Sequence, residues 1–197
     1  MPEYFAIIGA LIASIGGLYY LYETIVGKSK PNRVTWLLWG IFPMVTFFAQ
    51  RAQGVEGVSW VSFISGLTPI LVVIASFLNK KAFWKTDARD YVCMGLGLIG
   101  ISLWAITDSP NLAILFAILA DVAAGIPTMI KAKKYPETES WQAFGISAFG
   151  FAIAILAVQQ WDFQNAAFLV YLFCTNLLIA VLAFRKPSKQ SLHMELE

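Results

Sequence analysis

Asp121 is the residue of this 197-residue chain whose type and setting ask first for a chemical explanation. It lies in an apolar run, ten residues before Lys131. At about 1.5 Å of helical rise per residue it stands about 15 Å from that basic boundary, the mid-depth of a hydrocarbon layer about 30 Å thick. A carboxylate there costs at least ~2.5 kcal/mol on insertion scales, so the position marks a site by default. Burial disfavours the charged form, which suits a proton carrier. The same carboxylate also suits a counter-charge for a cationic or hydroxyl-rich solute. The structural alternative is a protonated aspartate bonded to a neighbouring helix. Asn176, nine residues before Arg185, lies at about 13 Å by the same arithmetic, with Thr175 beside it. Thr68 sits at similar depth. The hydroxyls of Thr68, Thr175 and Ser147 are further candidate contacts, although each could bond its own backbone. Tyr20 and Trp39 are aromatic candidates for the same space.

These residues need a membrane-spanning scaffold. The chain is 58% hydrophobic and 13% charged, against about 25% charged in an ordinary soluble domain, and its mean hydropathy is +0.68. One soluble core cannot hide that much apolar surface, so lipid must cover it. Seven apolar segments are expected, at about 4–25, 34–52, 58–78, 91–107, 112–130, 141–158 and 163–184. Each is close to the ~20 residues that a crossing needs. The opening Met-Pro-Glu-Tyr has no basic region and leads into a run too long for a signal peptide. Cys93 and Cys174 lie within apolar runs and read as small fillers, not as a disulfide framework or a metal spacing.

Charge placement sets the expected orientation. Thirteen of the fourteen Lys and Arg residues fall in alternate connections: Lys28 to Arg33, Lys80 to Arg89, Lys131 to Lys134, and Arg185 onward. Arg51 alone lies on the other side. The positive-inside rule makes the basic side cytoplasmic, with the N-terminus outside and the C-terminus inside. The expected locale is the plasma (cytoplasmic) membrane, with several passes.

An internal repeat organises the segments. A shift of 105 residues superposes Ile25 on Ile130, Pro31 on Pro136, Thr35 on Ser140, Trp36 on Trp141 and Gly40 on Gly145. A shift of 107 matches Thr68 with Thr175 and Phe77 with Phe184. Three helices, one linker helix and three more follow from this. An odd linker returns the second unit in the same orientation, as parallel repeats require. The expected fold is all-α integral membrane: a bundle over 1–79, a linker helix over 80–109, a second bundle over 110–186, and a cytoplasmic tail over 187–197.

Pro127-Thr-x-x-Lys131, Lys134 and Glu137-x-Glu139-Ser140-Trp141 together resemble the second motif of the PQ-loop superfamily. The three-plus-one-plus-three plan is similar to that of its SWEET-like members. The resemblance implies an alternating-access transporter or facilitator with the motif proline as a hinge. The first copy departs from the motif, with Tyr22-Glu23 where Pro127-Thr128 stands in the second. The resemblance also implies a substrate-binding asparagine on the third helix of a unit, a role that falls to Asn176. The corresponding first-half position is Pro69, which rivals Pro127 as a hinge. Glu23, about one turn from Lys28, is placed to pair with it or with Lys131 as a cytoplasmic gate beside Tyr22. A boundary acid reaching for water is the simpler account. Trp36, Trp60, Trp84, Trp141 and Trp161 lie near segment ends and fit an interfacial belt.

Other chemistries lack their residues. There is one mid-membrane aspartate where an intramembrane aspartyl protease needs two, His193 lies in the tail, and no phosphate loop or metal spacing appears. An enzyme, a cofactor and a nucleic-acid partner are therefore not expected. The expected partners are the lipid bilayer and a small polar solute, of the sugar, amino-acid or vitamin-precursor class, and homo-oligomers fit the architecture. The second functional class is a seven-helix receptor that binds a small ligand or peptide without moving it.

Overall fold

In the first helix, large apolar residues and small ones occupy opposite faces. Ile7, Leu11, Ile15 and Leu18 are each more than half exposed, whereas Ala6, Ala10 and Ala13 are buried. This is the reverse of a soluble protein. Lipid tails solvate the large side chains, and small residues let neighbouring backbones approach, so association rests on packing.

The computed structural model describes residues 2–82, 84–85, 88–106 and 109–185. Among them are seven α-helices: α1 (Pro2–Val26), α2 (Arg33–Ala52), α3 (Ser59–Leu78), α4 (Ala88–Ala105), α5 (Pro110–Lys134), α6 (Trp141–Ile155) and α7 (Phe163–Ala183). Short 3-10 turns at Lys80–Ala82 and Pro136–Thr138 join the rest, and no described residue is in a strand. The chain is thus all-helical. Helices α1, α3, α5 and α7 are long and apolar enough to cross a membrane, and α6 is a shorter apolar helix of 15 residues. Such helices are those of a membrane protein. The expected tail over 187–197 lies outside the described residues.

Three boundaries differ from the sequence expectation by three residues or more. Helix α4 starts at Ala88, three residues ahead of the expected Tyr91. Helix α5 continues through the basic run to Lys134, because Lys131 turns inward. Helix α6 ends at Ile155 and not near Val158, where the chain tightens into turns through Ala157 N–H to Ala154 O and Val158 N–H to Ile155 O.

Caps fix where the helices start. Asn32 opens α2, its side-chain oxygen accepting from the N–H groups of Val34 and Thr35. Its amide nitrogen also donates to Asp90 Oδ1 at 2.7 Å, tying the start of α4 to that of α2. Ser140 caps α6 and Asp162 caps α7. The repeat-related elbows therefore begin their second helices differently. Thr35 is already inside α2, whereas its mate Ser140 is still the cap, and the 3-10 turn takes the place of a first helical turn. Asn32→Ala is expected to lower stability by about 1–3 kcal/mol, from the lost cap and the lost Asp90 bond together. Asn32→Asp keeps the cap but sets two carboxylates face to face. Thermal unfolding of both variants in detergent checks this, with both melting below the parent.

Packing closes a ring. Helix α1 packs on α6, α6 on α7, α7 on α5, α5 on α2, α2 on α3, and α3 on α1, while α4 lies against α5 and more lightly α2. The α1–α6 contact is the tightest kind. A Cβ on Gly150 would stand 2.4 Å from Ala13 N and 2.6 Å from Gly9 O, and one on Gly9 would stand 2.5 Å from Ala154 N.

Candidate functional site

The ring surrounds a partly open cavity of about 90 Å3, to which each of its six helices contributes. Tyr20 comes from α1, Trp39 from α2, Thr68 from α3 and Asp121 from α5. Ser147 comes from α6, and Thr175 and Asn176 from α7. The polar residues singled out by depth in the sequence thus meet around one space. Pro69 also lines it, as does Pro43 inside α2. Pro127 does not line the cavity; it interrupts α5 further along.

Asp121 is 2% exposed. Its Oδ2 accepts the Tyr171 hydroxyl, and its Oδ1 has no hydrogen-bond partner. Tyr171 was not evident as a site residue. The available signal is its spacing on α7, four residues before the cavity-lining Thr175 and so on the same helix face.

Helix α2 is fastened to the α5 backbone beside the same residue. Trp39 Nε1 donates to Asp121 O at 3.4 Å, and Thr35 Oγ1 donates to Ala124 O at 2.7 Å. Pro127 lacks the N–H that would meet the carbonyl of Ala123. The two bonds from α2 therefore flank the place where α5 has lost one of its own.

Beneath the cavity lies a buried polar cluster. Tyr20 lines the cavity with its ring, and its hydroxyl donates to Glu139 Oε2 at 2.8 Å. Lys131 Nζ stands 2.7 Å from Glu139 Oε1, with both side chains almost fully buried. The Lys131 ammonium also donates to the carbonyl of Lys30 and lies 4.7 Å from the centre of the Trp84 ring. Lys30 N–H in turn donates to Thr138 O at 3.1 Å. The two elbows are thereby interlocked. Burial pushes the Glu139 carboxyl above its ordinary range, while Lys131 and Tyr20 act in the opposite direction.

Glu23 takes Lys28, the first of its two expected partners, at 2.5 Å and accepts from Ser29 at 2.9 Å. It does not reach for water, as a boundary acid would: it is buried, because the start of α6 at Ser140 covers it. Tyr22 is exposed and points away from the cavity, near Tyr19. The hydroxyl that reaches from α1 into the elbow cluster belongs to Tyr20. Trp36 is also not in an interfacial belt: it is buried, its ring 4.2 Å from that of Tyr20 and 5.6 Å from that of Trp39. Trp60, Trp141 and Trp161 are exposed near helix ends.

At the opposite end, an apolar cluster separates the cavity from an open vestibule of about 400 Å3. Val61, Phe151 and Leu172 face the cavity, and Val55, Val58 and Val158 face the vestibule. The vestibule is polar, with Gln53, Glu56, Gln159 and Asn165 among its walls. No family model matches the chain, and no curated protein or solved structure matches it either.

Proposed function

We propose that this chain is an alternating-access transporter or facilitator of a small polar solute, a SWEET-like member of the PQ-loop superfamily. On this reading all seven helices cross the plasma membrane as two parallel three-helix bundles joined by α4. The N-terminus is outside and the C-terminus cytoplasmic. The packing is consistent with the repeat. Under the 105-residue shift α1 maps to α5 and α2 to α6, so the α1–α6 contact maps onto α5–α2. Likewise α3 touches both α1 and α2, as α7 touches both α5 and α6.

The observation that carries the reading is the cavity itself. It lies between two layers of different chemistry, with a buried acid on its wall. A polar interlock of the two elbows lies towards one end, and an apolar layer towards the other. Opening one such layer while the other holds is what alternating access requires. Among the described residues no Lys or Arg lines the cavity, which favours transport over a peptide receptor that presents basic residues to its ligand.

Uptake of a radiolabelled panel of sugars, amino acids and vitamin precursors into proteoliposomes tests the proposal. Saturable uptake is expected, with Asp121→Asn lowering it at least tenfold while thermal stability stays near that of the parent. Saturable binding with no flux would sink the transport reading in favour of the receptor.

A further inference from the structure

The hydrogen-bonding groups on the cavity wall are unevenly divided. Ser14 Oγ donates to Ala10 O at 2.7 Å, Ser65 Oγ to Val61 O at 2.7 Å, and Thr68 Oγ1 to Ile64 O at 3.3 Å. Each is a hydroxyl on a helix bonding the carbonyl four residues back, an arrangement that occupies its one proton and leaves its lone pairs free. Ser147 Oγ donates across to Ala13 O at 3.3 Å, with the same result. Tyr20 sends its proton to Glu139, and Trp39 sends its indole N–H to the Asp121 carbonyl. Asn176 directs an amide hydrogen to Leu172 O at 2.8 Å, leaving its carbonyl oxygen as an acceptor. Asp121 Oδ1 is an acceptor without a partner.

Against these acceptors, few donors are left among the described residues. They are the Trp36 indole N–H, which lies toward the Tyr20 hydroxyl, the Thr175 hydroxyl, which lies toward Tyr171, and the second amide hydrogen of Asn176. Among the described residues the wall carries no Lys, Arg or His, and Asp121 is its one carboxyl. The backbone carbonyl of Asp121 receives the Trp39 indole N–H. A neutral polyol needs donors and acceptors in comparable number. A ligand that only donates, and carries a positive charge, fits this wall better: its N–H groups meet hydroxyl, amide and carboxylate oxygens, and its charge meets the carboxylate and an aromatic face. The volume of about 90 Å3 is several times the ~10–15 Å3 that one water requires, enough for a compact head group.

We infer that the cavity is a site for a small organic cation bearing N–H donors, an alkylammonium or guanidinium group, held between Asp121 and the hydroxyl oxygens of α1, α3 and α6. This deepens the transporter reading, since it rests on the cavity being the solute site.

Trp36 and Trp39 line the cavity, so tryptophan fluorescence of the full chain in detergent reports binding. Methylguanidinium and methylammonium chlorides are titrated against sodium chloride at matched ionic strength, beside tetramethylammonium chloride and glucose. Saturable change is expected with the two N–H cations, and at least tenfold weaker binding with tetramethylammonium, which has the charge but no donors. Asp121→Asn is expected to weaken methylguanidinium at least tenfold. The double change Ser65→Ala and Thr68→Val, which leaves the carboxyl in place, is expected to weaken it severalfold. Should Asp121→Asn not fold, the ranking of the four probes on the parent chain decides. Glucose binding as tightly as methylguanidinium, no saturable cation response, or an unchanged affinity in a folded Asp121→Asn protein would each overturn the inference. The same probes in proteoliposomes separate the two readings. Cation binding without flux leaves this inference standing and removes transport, whereas glucose flux without cation binding does the reverse.

Discussion

Glu139→Ala is expected to lower the stability of the chain by about 3–5 kcal/mol, the range for removing one partner of a buried ion pair. In a chain of this length that corresponds to a fall in melting temperature on the order of 10 °C. The loss exceeds that of a surface pair because both side chains are almost fully buried. Alanine would leave the Lys131 ammonium without the carboxylate in contact with it, keeping the Lys30 carbonyl, the Trp84 ring and the more distant Asp90 charge. It would also strip the Tyr20 hydroxyl of its acceptor. The double replacement Lys131→Met with Glu139→Leu removes the whole charge pair, and most of the stability is expected to return, because the attraction between buried charges only offsets the cost of taking them from water. Thermal melts of the parent, Lys131→Met, Glu139→Leu and the double variant form a cycle. A Glu139→Ala melt within 2 °C of the parent would mean that the pair does not hold the elbows together.

Two glycines of one helix are expected to respond in opposite directions to the same substitution. At Gly145 nothing lies within 4 Å of where a Cβ would stand, so Gly145→Ala gains the better helix former and stabilises by about 0.4–1 kcal/mol. At Gly150 the new carbon would meet backbone atoms of α1 at 2.4 and 2.6 Å. Backbone cannot swing aside as a side chain can, so α1 and α6 must separate. Gly150→Ala is expected to destabilise by about 1–3 kcal/mol, the range for overpacking, despite its helix propensity. Gly150→Leu should exceed that range. Melting temperatures of the purified variants check both signs, and equal shifts in one direction would show that the close crossing of α1 and α6 is not what holds the ring.

Much of the fold was legible because lipid imposes a strict rule. A segment must be long and apolar enough, so α1, α3, α5 and α7 stand out, and the expected bounds mostly fall within two or three residues of those observed. The grouping of Asp121, Asn176, Thr68, Thr175, Ser147, Tyr20 and Trp39 around one space was legible for a related reason. A polar group at mid-depth is costly against lipid and turns inward, so depth alone predicts company. The elbow cluster was hidden. Lys131 sits in a run that reads as a solvated basic turn, Glu139 in one that reads as an acidic loop. Their burial comes from the opposite elbow, 101 residues away at the Lys30 carbonyl, which no local pattern announces. Gly17 illustrates the same limit. Its spacing groups it with Gly9 and Ala13, yet its neighbour is Thr68 of α3, while Gly16 is the one that meets α6.

The two bonds from Thr35 and Trp39 onto the α5 carbonyls have a mechanical consequence. They weld α2 to α5 on the turns just ahead of Pro127, so any bend at that proline swings a two-helix lever instead of one arm. Helices α1 and α6 form the other tight pair, closed where Gly9 and Gly150 let the backbones touch. On the transporter reading proposed above, the rigid pieces would be these cross-pairs, each drawing one helix from either copy of the repeat. Helices α3 and α7 join the pairs, and of the two only α3 carries an internal proline, Pro69. A device built from a duplicated sequence would then move with one stiff strut and one that can flex.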